Sequence, residues 1–157
     1  MSQENVEIVR GHNEPYDGQE LVAVIKAAVD RLGPQPTRDE VLALWAQDPG
    51  WRHVHPDIEW DVTGVGAVGS TTKGPLQVAA WWKDWIETWD SYVYRIAEYR
   101  DLGDWVLTPV DVEGHGSGGL PVSMRVFQIW KVRDGKIAVL RAFLSEQEAL
   151  EAAGLRE

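Results

Sequence analysis

The sequence predicts an α+β domain in which a curved antiparallel sheet wraps onto helices. Two observations on the pattern and one on its order predict it. The first half holds runs with helical spacing, Leu21 to Leu32, Thr37 to Trp45 and Leu76 to Tyr92. The second half holds alternating runs joined by Asp-Gly and glycine-rich turns, the signature of hairpins. The order is helices, one strand, one helix, then four strands, with no internal repeat or low-complexity linker between them. A chain of 157 residues that is 44% hydrophobic suits one domain, residues 1–157, with a single substantial core.

Taken in order, Val6, Ile8 and Val9 suggest a first helix from Ser2, with Ser2 as N-cap and Glu4 near the positive end of the helix dipole. His12 and Tyr16 share a helical face if this helix reaches Pro15, but Gly11 and Pro15 weaken its second half and Asp17-Gly18 reads as its end. Leu21, Val22, Val24, Ile25, Ala28, Val29 and Leu32 form an apolar helix stopped by Gly33-Pro34. Thr37 with Glu40 is a capping box for a third helix carrying Val41, Leu42, Leu44 and Trp45, which Pro49-Gly50 ends. Trp51 to His55 connects to a first strand, Asp57 to Val62, with Ile58, Trp60 and Val62 inward. Gly64 to Gly74 reads as a loop. Gly69 to Lys73 lacks the GxxxxGK[ST] spacing, so no phosphate site is expected there. From Pro75 a helix runs to Tyr92, with Trp81, Trp85 and Trp89 at spacing four and Trp82 beside them. Such indoles pack on a sheet and can line a pocket at the same time.

Tyr92 to Tyr99 and Trp105 to Glu113 form one hairpin about Asp101-Leu102-Gly103-Asp104, and Gly114 to Gly119 is the next connection. Pro121 to Leu144 is a long hairpin about Asp134-Gly135. Met124, Val126, Gln128 and Trp130 share one face of it, and Arg125, Phe127, Ile129 and Lys131 the other. Gln128 is the odd polar residue on an apolar face. It either pairs with a neighbouring backbone group or points at something bound. Ser145 caps the last helix, with Glu146 and Glu148 in its first turn and Gly154 at its stop.

Composition narrows function. A net charge of −10 argues against nucleic acid or an anionic membrane as partner. With no cysteine, disulfides, thiolate metal sites and cysteine nucleophiles are excluded. The polar start MSQENVEIVR has no basic region followed by an apolar run, and no stretch approaches a membrane span, so a cytoplasmic protein is the default expectation. Nine tryptophans suggest an aromatic-lined cavity or interface.

The segments MSQENVEIVR, HPDIEW, GHGSGG, WKVRDGKI and EALEAAGL, in this order, resemble the SnoaL-like branch of the nuclear transport factor 2-like superfamily. Residues 21–53 look like additional helical sequence within that single SnoaL-like domain. The resemblance implies a cone-shaped α+β barrel, open at one end, enclosing an apolar pocket, in a homodimer packed through the outer sheet face. Relatives include ketosteroid isomerases, polyketide cyclases and epoxide hydrolases, together with domains of no known activity. The isomerase tyrosine falls at His12 and the second oxyanion-hole acid at Gln128, both able to donate to an oxyanion. The general-base aspartate falls near Val62, with Asp61 beside it pointing away, and the acid of cyclases and epoxide hydrolases falls at Ala142. Those two positions have lost their carboxylates.

The catalytic candidates are therefore His12, Asp111 and Gln128. Asp111 is a base or acid if desolvation raises its pKa, and His12 exchanges a proton near neutrality. Substrate-binding candidates are Tyr16, Trp60, Trp81 and Trp85 from the first part of the chain. Tyr92, Tyr94, His115, Met124, Trp130 and Leu140 come from the later strands. His53, His55 and Asp57 have the composition of a metal site, but no motif supports one, so no metal and no cofactor are expected. The expected activity is acid–base chemistry, as in isomerases, dehydratases, cyclases or epoxide hydrolases, on a small apolar cyclic or polyketide-like molecule. The alternative is a domain that only binds a ligand or dimerises.

Overall fold

The long hairpin forms the middle of the sheet. Asp134 and Gly135 both adopt positive φ, 55° and 76°, which is the backbone that a two-residue turn between twisted strands demands. In the computed structural model, which describes residues 2–65 and 70–155, this turn joins β6 (Pro121–Arg133) to β7 (Lys136–Phe143). The other strands are β1 (Val54–Gly64), β2 (Thr71–Lys73), β3 (Trp89–Ile96), β4 (Arg100–Asp101) and β5 (Val106–Gly116). They lie in the order β2-β1-β7-β6-β5-β3, with β4 beside β5. The helices are α1 (Ser2–Asn13), α2 (Leu21–Leu32), α3 (Arg38–Gln47), α4 (Gly74–Glu87) and α5 (Glu146–Ala152).

The α+β class and the wrapped sheet are those expected, with one difference in pairing. β1 and β7 run parallel, while every other pair is antiparallel. No tight turn links β1 to β7. α4 and two hairpins intervene, and such a long crossover leaves a parallel pairing open. The sheet is thus mixed.

Alternation gives the sheet two apolar faces. On the inner face one row crosses four strands, with Val106 opposite Trp130, Trp130 opposite Leu140 and Leu140 opposite Trp60. These four side chains are buried, together with Ile58 and Val62. α1 to α4 cover that face. On the outer face Leu107 and Ile129 meet Ala149 of α5, flanked by Phe127, Phe143 and Leu150. α5 begins as expected: Ser145 Oγ accepts the Glu148 N–H at 3.2 Å. The capping box on α3 is also present, Thr37 N–H donating to Glu40 and Glu40 N–H to Thr37.

Several boundaries differ from the sequence reading. α4 stops at Glu87, five residues short, because the Thr88 hydroxyl and N–H both turn back onto the Trp85 carbonyl, at 2.6 and 3.1 Å. Trp89 therefore opens β3, and a register shift between Trp89 and Ser91 buries both Trp89 and Tyr92. The Gly64 to Gly74 stretch is not all loop: β1 runs to Gly64 and Thr71–Lys73 pairs back on it as β2. Positions 66–69, with Gly69 of the phosphate-like segment, lie outside the described residues, as does the side chain of the expected Ser2 cap. β1 begins at Val54 instead of Asp57, and β5 extends through Gly116, so Gly114 and His115 belong to a strand. α1 ends at Asn13, after which Tyr16 N–H bonds the Asn13 carbonyl at 3.0 Å and keeps the chain coiled as far as Tyr16. Among the described residues no helix is long and apolar enough to cross a membrane.

Candidate functional site

Between α1 to α4 and the inner sheet face lies a cavity of about 360 Å³. Its wall is mostly aliphatic and aromatic, as small-molecule pockets are. The tryptophans hold one another as well as the cavity. Trp51 stacks between Trp45 and Trp60, at 4.9 and 5.5 Å between ring centroids. Trp81 and Trp85, one turn apart on α4, stack at 5.5 Å. This pile gives the cavity rigid walls.

His12 sits in the last turn of α1 and is 4% exposed. Its Nδ1 lies 3.1 Å from the Gly50 carbonyl oxygen, which can only accept, so Nδ1 carries the hydrogen and donates. Nε2 then bears a lone pair. Burial lowers the His12 pKa to about 4, against the opposing pull of the Gly50 bond, so the ring is neutral near pH 7. The sequence reading had His12 as a donor to an oxyanion. In this tautomer it is an acceptor instead.

The turn that supplies the Gly50 carbonyl is itself tied down. Asp48 Oδ1 accepts the N–H groups of Gly50 and Trp51 at 2.9 and 3.0 Å, and the Tyr16 hydroxyl also donates to it. Position 50 requires glycine for a steric reason. A Cβ there would lie 2.5 Å from the His12 carbonyl oxygen and from Tyr16 Cε2. Burial and the Asp48 bond both raise the Tyr16 pKa, so this phenol is a donor and not a base.

Across the cavity, Gln128 faces inward from β6 with Thr108 directly opposite on β5. The Thr108 hydroxyl donates to Gln128 Oε1 at 3.2 Å and accepts the Trp130 indole N–H at 2.9 Å. Gln128 thus pairs with a side chain, not with the backbone group that the sequence left open. Asn13 anchors a third polar group: its Nδ2 donates to the Val9 carbonyl at 2.9 Å and its Oδ1 accepts from the Tyr94 hydroxyl at 3.2 Å. Burial raises the Tyr92 pKa to about 12 and pushes that of Tyr94 well up, so both phenols stay protonated.

Of the residues singled out from sequence, His12, Gln128, Tyr16, Trp60, Trp81, Trp85, Tyr92, Tyr94, Met124, Trp130 and Leu140 all border this one cavity. Asp111 and His115 do not. Both have the parity of the outer face. Asp111 is half exposed and paired with Arg125 at 2.8 and 3.0 Å, and this guanidinium, outweighing a small desolvation effect, lowers its pKa instead of raising it. His115 bonds Ser91 at 3.1 Å on the exposed edge. Asp61 also points away, accepting from Thr63, while Val62 and Ala142 border the cavity as apolar residues. His53, His55 and Asp57 do not gather, since His53 lies in a 3-10 turn and His55 Nδ1 accepts the Asp57 N–H. Among the described residues no three His, Asp or Glu side chains are placed to hold a metal ion. The residues that sequence reasoning missed are Asn13, Asp48 and Thr108. Asp48-Pro49-Gly50 was legible as a turn, and Thr108 shares the parity of Val106 and Val110, but neither pattern says which groups meet across the fold.

A wrapped sheet whose inner face and four helices enclose an apolar cavity with a few placed polar groups defines an α+β cone. The chain belongs to the SnoaL-like domain family, whose model matches residues 38–140. No curated protein matches it by sequence. Its structure is similar to that of a candidate SnoaL-like polyketide cyclase from Jannaschia sp. CCS1, 18% identical over 96% of this chain and 91% of that one, with a TM-score of 0.59. It is also similar to an NTF2-like protein from Burkholderia xenovorans LB400, 20% identical over 98% of this chain and 97% of that one, TM-score 0.57. An LEH-like epoxide hydrolase from M. tuberculosis is 17% identical over 91% of this chain and 84% of that one, TM-score 0.53. At these identities the likeness is one of fold.

Proposed function

We propose that the chain binds a small, largely apolar cyclic or polyketide-like molecule in this cavity and acts on it by proton transfer, without a cofactor. The observation that carries the reading is that a buried lone-pair acceptor, His12 Nε2, and an amide, Gln128, border the same apolar cavity from α1 and from β6. A proton passes from the substrate to Nε2, and the imidazolium that forms keeps its Nδ1 bond to Gly50 and has the Asp48 carboxylate nearby. Gln128 binds the oxygen on which negative charge grows. Because burial lowers the proton affinity of His12, the proton it takes is an acidic one, such as that on a carbon beside a carbonyl. Isomerisation, dehydration and cyclisation, each begun by loss of a proton beside a carbonyl, fit this arrangement, and the family membership supports it. In this proposal the protein is a cytoplasmic homodimer packed through the outer sheet face, where Arg125 pairs with Asp111 and Arg95 with Glu113.

One observation favours a second reading, a domain that binds a ligand without turning it over. Asp48 is the only carboxylate among the described cavity residues, and three donors already engage its Oδ1. Native mass spectrometry of the gently purified protein, followed by a panel of unsaturated ketones, hydroxy ketones and epoxides, separates the two. The enzyme reading expects product with the wild type and its loss in His12→Ala with binding retained. Unchanged turnover in both His12→Ala and Gln128→Leu sinks the proton-transfer mechanism. Tight binding with no product across the panel leaves the binding domain.

A further inference from the structure

We propose that Thr108 sets the polarity of the site. It turns the Gln128 amide so that N–H, and not C=O, faces the ligand, which selects an uncharged molecule carrying a carbonyl oxygen at that point. The inference deepens the small-molecule reading of the cavity and rests on it.

The argument is an accounting of hydrogens. Thr108 is fully buried on β5, directly opposite Gln128. An indole N–H can only donate, so the Trp130 bond of 2.9 Å makes Thr108 Oγ1 an acceptor. The hydroxyl has one hydrogen left, and it goes to Gln128 Oε1 at 3.2 Å. With Oε1 taken, the amide offers its Nε2 hydrogens. The opposite amide orientation sets N–H against the hydroxyl and leaves the hydroxyl hydrogen without that acceptor, in a place sealed from solvent. Trp130 is itself 1% exposed and bonded on both sides of the sheet row, so the chain starts from a fixed point.

The charge of the wall limits what the amide can receive. Arg31 is the only lysine or arginine among the described cavity residues, and it is exposed on α2. A carboxylate or phosphate at Gln128 thus meets no countercharge, whereas a ketone oxygen needs only the N–H. Tyr92 and Tyr94 remain protonated, and Val110, Val126 and Ala142, which border the cavity beside Gln128, are apolar.

The test uses the full chain and two probes of one skeleton, α-tetralone and tetralin, with and without the carbonyl. Dissociation constants come from tryptophan fluorescence and calorimetry. The wild type is expected to favour the ketone by about tenfold, the worth of one hydrogen bond in a closed site. Thr108→Val, equal in shape, brings the ratio toward one and shifts the Trp130 indole N–H resonance. Thr108→Ser restores both. Gln128→Leu, which leaves Thr108 in place but removes the amide, also removes the preference and covers the case in which Thr108→Val fails to fold. An undiminished ketone preference in Thr108→Val or in Gln128→Leu overturns the inference. Equal binding of the two probes by the wild type overturns it too, with the cavity still a ligand site. If neither probe binds the wild type, the small-molecule reading falls and takes the inference with it.

Discussion

Protonating His12 is the perturbation that tests the site most directly. In the unfolded chain its pKa is 6.5, and in the folded protein burial lowers it to about 4. Between those values the unfolded state holds a proton that the folded state lacks. Stability therefore rises with pH across this window and is lost as pH falls through it, with no further loss from this group below the folded value. At ~1.4 kcal/mol per pH unit the window is worth about 3 kcal/mol, a large share of a domain's typical ~5–15 kcal/mol. The assay is urea unfolding, followed by tryptophan fluorescence, of the wild type and His12→Gln at about pH 7 and about pH 4. The titrations of His53 and of the carboxylates occur in both proteins, so the difference between the two isolates the His12 ring together with its coupling to His53 and Asp48. The wild type should lose about 3 kcal/mol more than the variant on acidification. Parallel losses would mean that the ring is exposed or charged in the folded state, and the assignment of Nε2 as the lone-pair acceptor would go with it.

Four other outcomes follow from the same geometry. Gly50→Ala places a methyl 2.5 Å from backbone and from a tyrosine ring, so a loss of about 1–3 kcal/mol is expected in urea unfolding. In ¹⁵N spectra near neutral pH, His12 should show a protonated Nδ1 and a bare Nε2, and Asp48→Ala should weaken that preference by freeing the turn while Asp48→Asn retains it. Asp111→Ala removes an ion pair on the face of the sheet away from the cavity, so ligand affinity should not change. Leu140→Ala, in the buried row between Trp60 and Trp130, should cost about 2–5 kcal/mol and also weaken ligand binding, because the same side chain serves core and cavity.

The features legible in the chain are those that local geometry dictates. Alternation placed Met124, Val126, Gln128 and Trp130 on one face, Asp134-Gly135 demanded the turn, and Thr37 with Glu40 demanded a helix start; each depends on residues a few positions apart. Even Asp111 was legible as misplaced, since along its own strand it alternates out of phase with Val110 and Val112 and shares a face with Glu113. The end of α4 was less so, because the Thr88 hydroxyl competed with a helical pattern that the tryptophans continue. The site's chemistry comes from contacts between segments far apart in the chain. That Asp48 holds the turn beneath His12, 36 residues distant in sequence, and that Thr108 meets Gln128 are facts of register and packing. A histidine carries two tautomers and an amide two orientations, and the choice between them belongs to the neighbours that burial brings.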